Sequence, residues 1–168
     1  MGPRRVIIQK FGGTSVATAA AREVVAERVA GAVRDGYLPV VVVSAMGRSG
    51  DPYATDTLID LARSVHPHTA PREMDLLISC GEIVSSVIVA NTLKNHGLDA
   101  MVLTGGQAGI ITDGSFNNAT ILRVQPDHLL RHMEERKVVV VCGFQGVTEN
   151  GDVTTLGRGG SDTTAAAL

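Results

Sequence analysis

Several features that are common in proteins are scarce in this 168-residue sequence. It has no tryptophan, only 3% aromatic residues and a net charge of −2. The lack of aromatic residues argues against a base-stacking surface, and the balanced charge gives no electrostatic attraction to nucleic acid or to an anionic membrane. The longest apolar run, Leu38–Val43, is far too short to cross a bilayer. With 44% hydrophobic residues, the composition is that of one globular domain.

Cysteine and histidine are scarce as well. Cys80 and Cys142 are too few for a disulfide scaffold or a cysteine-rich zinc module, and we expect both to be reduced, buried thiols of a cytoplasmic protein. His128 and His132 lie four residues apart on a predicted helix, but no glutamate follows the first histidine as in a metalloprotease helix. We therefore predict no metal site formed by the protein itself.

Strand-like and helix-like segments alternate along the chain. The predicted strands are short and rich in valine or isoleucine, and they cover 6–8, 38–44, 98–103, 119–124 and 137–142. The predicted helices have apolar residues at helical spacing, and they cover 17–35, 55–65, 71–95 and 127–135. A hairpin turn is predicted at 149–152. Apolar strands between helices indicate an α/β fold with a mostly parallel sheet that is covered on both faces.

The pattern also predicts which residues are buried and where one helix could break. The first strand, 6–8, is expected to be buried, and Val24 and Val33 are expected on the buried stripe of the first helix. Gly81 is a weak point, where the helix 71–95 could break into a pair. The segment 119–124 is ambiguous between helix and strand, and we favour a strand.

Glycine clusters follow the predicted strands. Ligands bind beyond the carboxyl ends of parallel strands, and these clusters lie at those ends. Lys10 ends the first strand and precedes Gly12 and Gly13, so a cation, exposed backbone N–H groups and a helix N-terminus would meet there. That combination suits a phosphate group. The chain contains neither the Walker phosphate loop nor the dinucleotide fingerprint.

Other polar side chains are predicted at the same edge of the sheet. Arg158 lies between glycines, where its guanidinium can bind a carboxylate or a phosphate, and Ser161 or Asp162 can cap the helix that begins there. Glu82 lies within an apolar helix, and Ser44 follows the central strand. Cations, carboxylates and hydroxyls together suit phosphoryl transfer to a small zwitterionic acceptor.

Five motifs together resemble those of the aspartate kinases, a branch of the amino-acid kinase family. They occur in order and span almost the whole chain: Lys10-Phe11-Gly12-Gly13-Thr14-Ser15, Ser44-Ala45-Met46-Gly47, Ser79-x-Gly81-Glu82, Gly143-Phe144-Gln145-Gly146 and Gly157-Arg158-Gly159-Gly160-Ser161-Asp162. The resemblance implies an αβα sandwich of the carbamate kinase-like type. It also implies the transfer of a phosphoryl group from ATP, with Mg²⁺, to the β-carboxylate of L-aspartate. That reaction is the entry step to lysine, threonine and methionine.

The resemblance also implies roles for individual residues. Lys10 would stabilise the transferring phosphoryl group, and Asp162 would orient Lys10 and the acceptor. Arg158 would bind the α-carboxylate of aspartate, and Glu82 its ammonium group. Hydroxyl groups would complete the amino-acid pocket: Ser44, Thr55 and Ser161. The turn after the first strand would bind the phosphates of ATP: Lys10, Gly12, Gly13 and Ser15. Either Thr55 or Thr57 could be the threonine of the amino-acid pocket, and we favour Thr55 because Asp56 follows it directly.

Two alternative functions remain open on the sequence. The chain could belong to another amino-acid kinase that acts on glutamate, N-acetylglutamate or UMP, or it could be a non-catalytic aspartate-binding or interaction module. Because members of the family continue beyond the last motif, we expect residues 1–168 to be the N-terminal, amino-acid-binding lobe. On this expectation the rest of the nucleotide site and the regulatory ACT domains are absent, and the isolated lobe has little or no kinase activity. The resemblance also allows a homodimer.

Overall fold

The structure is a computed structural model that describes residues 5–168. Its strands are β1 (Arg5–Phe11), β2 (Tyr37–Val43), β3 (Ala100–Leu103), β4 (Ile110–Thr112), β5 (Ile121–Val124), β6 (Val138–Cys142), β7 (Gln145–Val147) and β8 (Val153–Thr155). Its helices are α1 (Gly13–Val16), α2 (Ala19–Arg34), α3 (Thr55–Val65), α4 (Pro71–Asn95), α5 (Asp127–Glu134) and α6 (Gly160–Ala167). The predicted alternation of strands and helices is confirmed, and 121–124 is a strand.

A parallel sheet of four strands, in the order β1-β2-β6-β3, forms the middle layer. The valines of β2 and β6 pair with one another, Val40 with Val139 and Val42 with Val141, and all four are fully buried. A strand that is apolar on both faces needs cover on both faces. The predicted parallel sheet is therefore confirmed for these strands.

Alternate valines of the central strands pack against different helices. Val41 and Val140 belong to the core cluster that includes Val29 of α2 and Leu93 of α4. The opposite faces of the strands pack against α5, α6 and the residue after α6. This second cluster comprises Val40, Val42, Val139, Val141, Leu129, Met133, Ala165 and Leu168. This two-sided packing makes the αβα sandwich.

β1 is not the buried strand that the sequence predicts. It pairs with β2 on one side only, and Val6 is 51% exposed. Val24 and Val33 of α2 are also exposed, whereas Val25 and Val29 are buried. The sequence does not identify the buried face of β1 or α2, because β-branched residues occur on both sides of each element.

A second sheet was not predicted. It has four short strands in the order β5-β4-β7-β8, with antiparallel pairs at both ends and a parallel pair between β4 and β7. The β7–β8 pair is the predicted hairpin, with Val147 opposite Val153. This small sheet packs against α4, since β8 lies along that helix. The sequence pattern thus predicted the parallel sheet but not this second, smaller one.

α4 is one continuous helix through Gly81. A Cβ at Gly81 would lie 2.8 Å from the Cβ of Ala45 and 2.9 Å from the carbonyl oxygen of Tyr53. Glycine is needed there because the loop after β2 crosses the helix at close range, so the predicted weak point is a packing contact. By length and composition α4 could also cross a membrane, but half of its most apolar stretch is buried inside the protein.

Candidate functional site

A cleft of about 790 Å³ opens beyond the carboxyl ends of β1 and β2, beside the N-terminus of α6. Eight residues singled out from the sequence line it: Lys10, Gly13, Ser44, Thr55, Glu82, Arg158, Ser161 and Asp162. They come from five separate segments of the chain. The parallel sheet brings them together because its strand ends all face one edge.

Lys10 and Asp162 form an ion pair in the cleft. Nζ of Lys10, from the end of β1, lies 3.0 Å from Oδ1 of Asp162, in the first turn of α6. Gly159 precedes this helix in a left-handed conformation, and neither Ser161 nor Asp162 caps it through its side chain. The capping prediction is therefore wrong. Because Asp162 is free of a capping role, its carboxylate is available to hold Lys10.

The end of β2 meets the start of α6 through two hydroxyl groups. Ser44 Oγ donates to Ser161 Oγ at 2.9 Å. Gly143 follows β6 and makes this approach possible, because a Cβ there would lie 2.7 Å from Ser161 Oγ and 2.9 Å from the carbonyl oxygen of Val43. The glycine of the Gly143-Phe144-Gln145-Gly146 motif thus acts by allowing close packing around the two serines.

The turn after β1 packs against the loop after β2. Gly47 N donates to the carbonyl oxygen of Gly13 at 3.1 Å, and a Cβ at Gly13 would lie 2.7 Å from the carbonyl oxygen of Gly47. Gly12 lies beside Lys10 Nζ but does not line the cleft. Ser15 is exposed on α1 and is also outside the cleft lining. Of the predicted phosphate-binding residues, the cleft thus gathers Lys10 and Gly13.

Glu82 is a buried carboxyl group at the base of the cleft, with only 2% of its surface exposed. Oε1 accepts a hydrogen bond from Ala45 N at 3.0 Å, whereas Oε2 has no partner among residues 5–168. Desolvation by burial raises the pKa of Glu82 to about 8, and the Ala45 N–H partly offsets that rise. The spare oxygen can hydrogen-bond a ligand in the cleft, as a donor while the carboxyl is neutral and as an acceptor once it is ionised.

Arg158 lies on the rim of the cleft and is exposed. Both neighbouring glycines have positive φ angles, 74° at Gly157 and 73° at Gly159, a conformation that other residues adopt at a cost. The tight double turn places the guanidinium group beside the cleft. The glycines around Arg158 are therefore explained by backbone geometry.

Thr55, rather than Thr57, lines the cleft. Thr55 is the first residue of α3, and Thr57 Oγ1 instead accepts a hydrogen bond from Gly50 N at 3.2 Å. Thr57 thus holds the loop before α3 in place.

Asp75 was not predicted, although it supports one side of the cleft. It is fully buried on α4, and its carboxylate accepts hydrogen bonds from Thr155 N at 2.8 Å, from Thr155 Oγ1 at 2.7 Å and from Asn117 N at 2.9 Å. Asn117 and Thr155 both line the cleft. Near the N-terminus of a helix an aspartate usually faces solvent, so the sequence carries no signal for this role.

Two arginines that the sequence did not suggest also line the cleft. Arg48 and Arg63 are exposed on its rim, in the loop after β2 and in α3. They add positive charge to the same cleft as Arg158. The cysteine prediction is half right: Cys142 is buried, with a pKa raised to about 11 by desolvation, whereas Cys80 is exposed on α4.

The family model that matches this chain is that of the amino acid kinase family, over residues 5–168. The chain belongs to that family. Among curated proteins it is 51% identical over 164 residues to aspartokinase 1 of Bacillus subtilis, and 49% identical to the aspartokinase of Mycolicibacterium smegmatis. These alignments cover 98% and 97% of this chain but 41% and 38% of the relatives. The chain thus spans about 40% of the length of the curated relatives it matches.

Solved structures show the same relationship. The chain is similar to an aspartate kinase from Synechocystis, with a TM-score of 0.78 and 44% identity, over 97% of this chain and 26% of that one. It is also similar to E. coli aspartokinase III in complex with aspartate and ADP, with a TM-score of 0.75 and 25% identity. That match covers 98% of this chain and 46% of the E. coli chain. These likenesses confirm the predicted amino-acid kinase fold.

Proposed function

We propose that this chain is the acceptor-binding lobe of an aspartate kinase, which transfers the γ-phosphoryl group of ATP to the β-carboxylate of L-aspartate. The observation that carries the proposal is the Lys10–Asp162 ion pair in a cleft that also holds Glu82 and Arg158. Support comes from the relatives, which are named aspartokinases, and from the E. coli enzyme that binds aspartate and ADP.

The acceptor would be held by charge at both of its ends. Arg158 can form a bidentate pair with the α-carboxylate. A bound ammonium group would favour the ionised form of Glu82, whose free Oε2 would then accept its hydrogen bond. The hydroxyls of Ser44, Thr55 and Ser161 complete the pocket between them. A zwitterion is needed to satisfy both groups, which favours aspartate over N-acetylglutamate or UMP.

The phosphoryl step needs charge neutralisation rather than a general base. A free aspartate β-carboxylate has a pKa near 3.9, so it is already ionised at neutral pH and can attack without losing a proton. Two anions must then approach each other. Lys10 would stay beside the transferring group because Asp162 holds its ammonium group at 3.0 Å.

The phosphates of ATP would lie at the turn after β1, against Lys10 and the backbone of Gly12 and Gly13, with Ser15 nearby. Magnesium would arrive as the complex with ATP and would supply further neutralisation of the phosphates. The protein would be cytoplasmic, and its product would enter the synthesis of lysine, threonine and methionine. Adenine and ribose would need contacts beyond those of this lobe, so we expect residues 1–168 alone to have little kinase activity.

An acceptor series tests the proposal. Isothermal titration of the chain with L-aspartate should show saturable binding, with weaker binding of L-glutamate and none of N-acetyl-L-glutamate or UMP. Preference for any of these other acceptors would replace aspartate kinase by the corresponding kinase. A chain that binds aspartate yet supports no transfer when joined to the remaining part of a relative's catalytic domain would be the non-catalytic module.

A further inference from the structure

The position of the Arg158 side chain is set by the backbone around it. Arg158 is exposed, and none of the ion pairs among residues 5–168 involves it. Its place in the cleft therefore depends on the turn between Gly157 and Gly159, which we call the Arg158 turn. On its C-terminal side this turn runs into α6, since Gly160 N donates to the carbonyl oxygen of Gly157 at 3.0 Å.

Asp75 of α4 holds the N-terminal side of the Arg158 turn. Thr155 ends β8, three residues before Arg158, and it donates to the Asp75 carboxylate through its backbone N–H at 2.8 Å and through its hydroxyl at 2.7 Å. Both residues are fully buried. Because water does not reach these groups, their hydrogen bonds are costly to break, and they fix the end of β8 to the helix.

The same carboxylate holds a loop that packs against the turn. Asn117 N donates to both oxygens of Asp75, at 3.0 Å to Oδ1 and at 2.9 Å to Oδ2, and this residue has a φ angle of 66°. The next residue, Asn118, places its side-chain oxygen 2.6 Å from the point where a Cβ of Gly157 would lie. The loop and the strand thus meet directly before Arg158, and both are bound by one buried carboxylate.

Asp75 lies on the same helix as Glu82, the group proposed to bind the ammonium group of aspartate. The two residues are seven positions apart, which is about two turns and about 10 Å along the helix axis. α4 is continuous between them. The ammonium group and the α-carboxylate of an amino acid are bonded to one carbon, so the protein groups that bind them must keep a fixed separation. One rigid helix carries Glu82 and the carboxylate that holds the Arg158 turn.

We propose that Asp75 is a positioning residue for the acceptor: it fixes the Arg158 turn relative to Glu82 and so sets the affinity of the cleft for the α-carboxylate of the amino acid. Asp75 is fully buried and does not line the cleft, so it acts through Arg158 rather than by touching the acceptor. The inference rests on the proposed function for the identity of the acceptor. The link from Asp75 to the turn can be measured without any ligand.

A comparison of two ligands by NMR titration separates positioning from stability. β-Alanine is L-aspartate without the α-carboxylate. Asp75→Asn keeps the size of the side chain but replaces one acceptor oxygen by an NH₂ donor. It should weaken aspartate binding roughly tenfold and leave the weaker binding of β-alanine unchanged within about twofold, since only aspartate uses Arg158. Equal weakening of both ligands, or an unchanged affinity for aspartate, would overturn the proposal.

A double-mutant cycle gives a second measurement that does not depend on β-alanine. In the Arg158→Ala background, Asp75→Asn should cause no further loss of aspartate affinity beyond about twofold, because the group that Asp75 positions is already gone. Additive losses would overturn the proposal, because they would mean that Asp75 affects binding through other residues.

Backbone NMR relaxation tests the link in the absence of ligand. In Asp75→Asn the order parameters of residues 157–159 should fall from the rigid range, about 0.85, to below about 0.6. Thr155→Val, which loses only the hydroxyl bond to Asp75, should change them in the same direction and keeps the test available if Asp75→Asn does not fold. Thr154→Val is the matched control, because Thr154 is equally buried on β8 and its hydroxyl pairs instead with Thr112 at 2.6 Å.

The two kinds of measurement distinguish this proposal from the proposed function. A turn that keeps its wild-type order in both Asp75→Asn and Thr155→Val, or that loses as much order in Thr154→Val, would overturn the positioning role whatever ligand binds. A wild type that binds no aspartate, with a turn that loses order only in the first two variants, would refute aspartate as the acceptor and support the positioning of Arg158 by Asp75.

Discussion

Replacing Glu82 with glutamine should remove a pH dependence from the stability of the protein. Glu82 is 2% exposed, and burial raises its pKa from 4.5 to about 8. The folded protein therefore prefers the neutral carboxyl, while the unfolded chain ionises near pH 4.5. The stabilisation by the neutral form is fully present below about pH 4.5 and is lost as the pH rises through about 8.

The size of the effect follows from the shift. Each pKa unit corresponds to about 1.4 kcal/mol, so the free energy of unfolding of the wild type should fall by up to about 5 kcal/mol between pH 4.5 and 8. That is a large part of the total stability of a small domain, which is about 5–15 kcal/mol. Cys142 does not contribute in this window, because its pKa is raised to about 11.

Urea unfolding followed by circular dichroism between pH 5 and 8.5 measures the effect. The difference between Glu82→Gln and the wild type cancels the titration of all other groups. Glu27→Gln, an exposed glutamate on α2, is the matched control and should follow the wild-type profile. Parallel profiles for the wild type and Glu82→Gln would refute the reasoning, because they would mean that the carboxyl of Glu82 is solvated in the folded protein.

Three further changes test the packing around the site. Gly81→Ala should destabilise the chain by about 1–3 kcal/mol in the same urea titration, because its Cβ would meet Ala45 and Tyr53. Gly31→Ala is the control and should be neutral or stabilising, because the nearest neighbour of Gly31 is the flexible end of Arg34. Asp75→Ala should cost about 3–5 kcal/mol in thermal or urea unfolding, since it leaves the N–H groups of Asn117 and Thr155 without an acceptor; a loss under 1 kcal/mol would contradict the assigned contacts. Asp162→Asn should change the free energy of unfolding by less than about 1 kcal/mol, because Asp162 is 70% exposed. A larger change in the same assay would mean that its pair with Lys10 is structural rather than functional.

The central sheet was predictable because its strands carry an unambiguous signal. Four consecutive valines in β2 and in β6 can only be buried on both faces, and that fixes a parallel sheet between helices. The second sheet was not predictable in the same way. β4, β7 and β8 are three residues long, and β4 pairs with β7 through residues far apart in sequence, Ile111 and Val147. Such short strands are defined by their partners rather than by their own composition.

Some residues of the candidate site are indicated by local sequence, and others are defined only by contacts between distant segments. Lys10, Arg158 and Asp162 stand in glycine-rich segments at strand ends or helix starts, so the sequence marks them as site residues. Asp75 has no such mark, because its hydrogen-bond donors, two backbone N–H groups and the Thr155 hydroxyl, belong to distant segments of the chain. Glu82 was identified by the family motif, but its burial and its free oxygen depend on how the loop at Ala45 packs on α4.

Calorimetric titration with L-aspartate of the wild type and of Arg158→Ala tests the central claim most directly. The account predicts saturable binding by the wild type, and binding weakened roughly 100-fold in Arg158→Ala, because one charge-assisted bidentate pair would be lost. Arg34→Ala, an exposed arginine on α2 outside the cleft lining, should bind as the wild type does. Equal affinity of Arg158→Ala and the wild type would contradict the assignment of the cleft as the aspartate site.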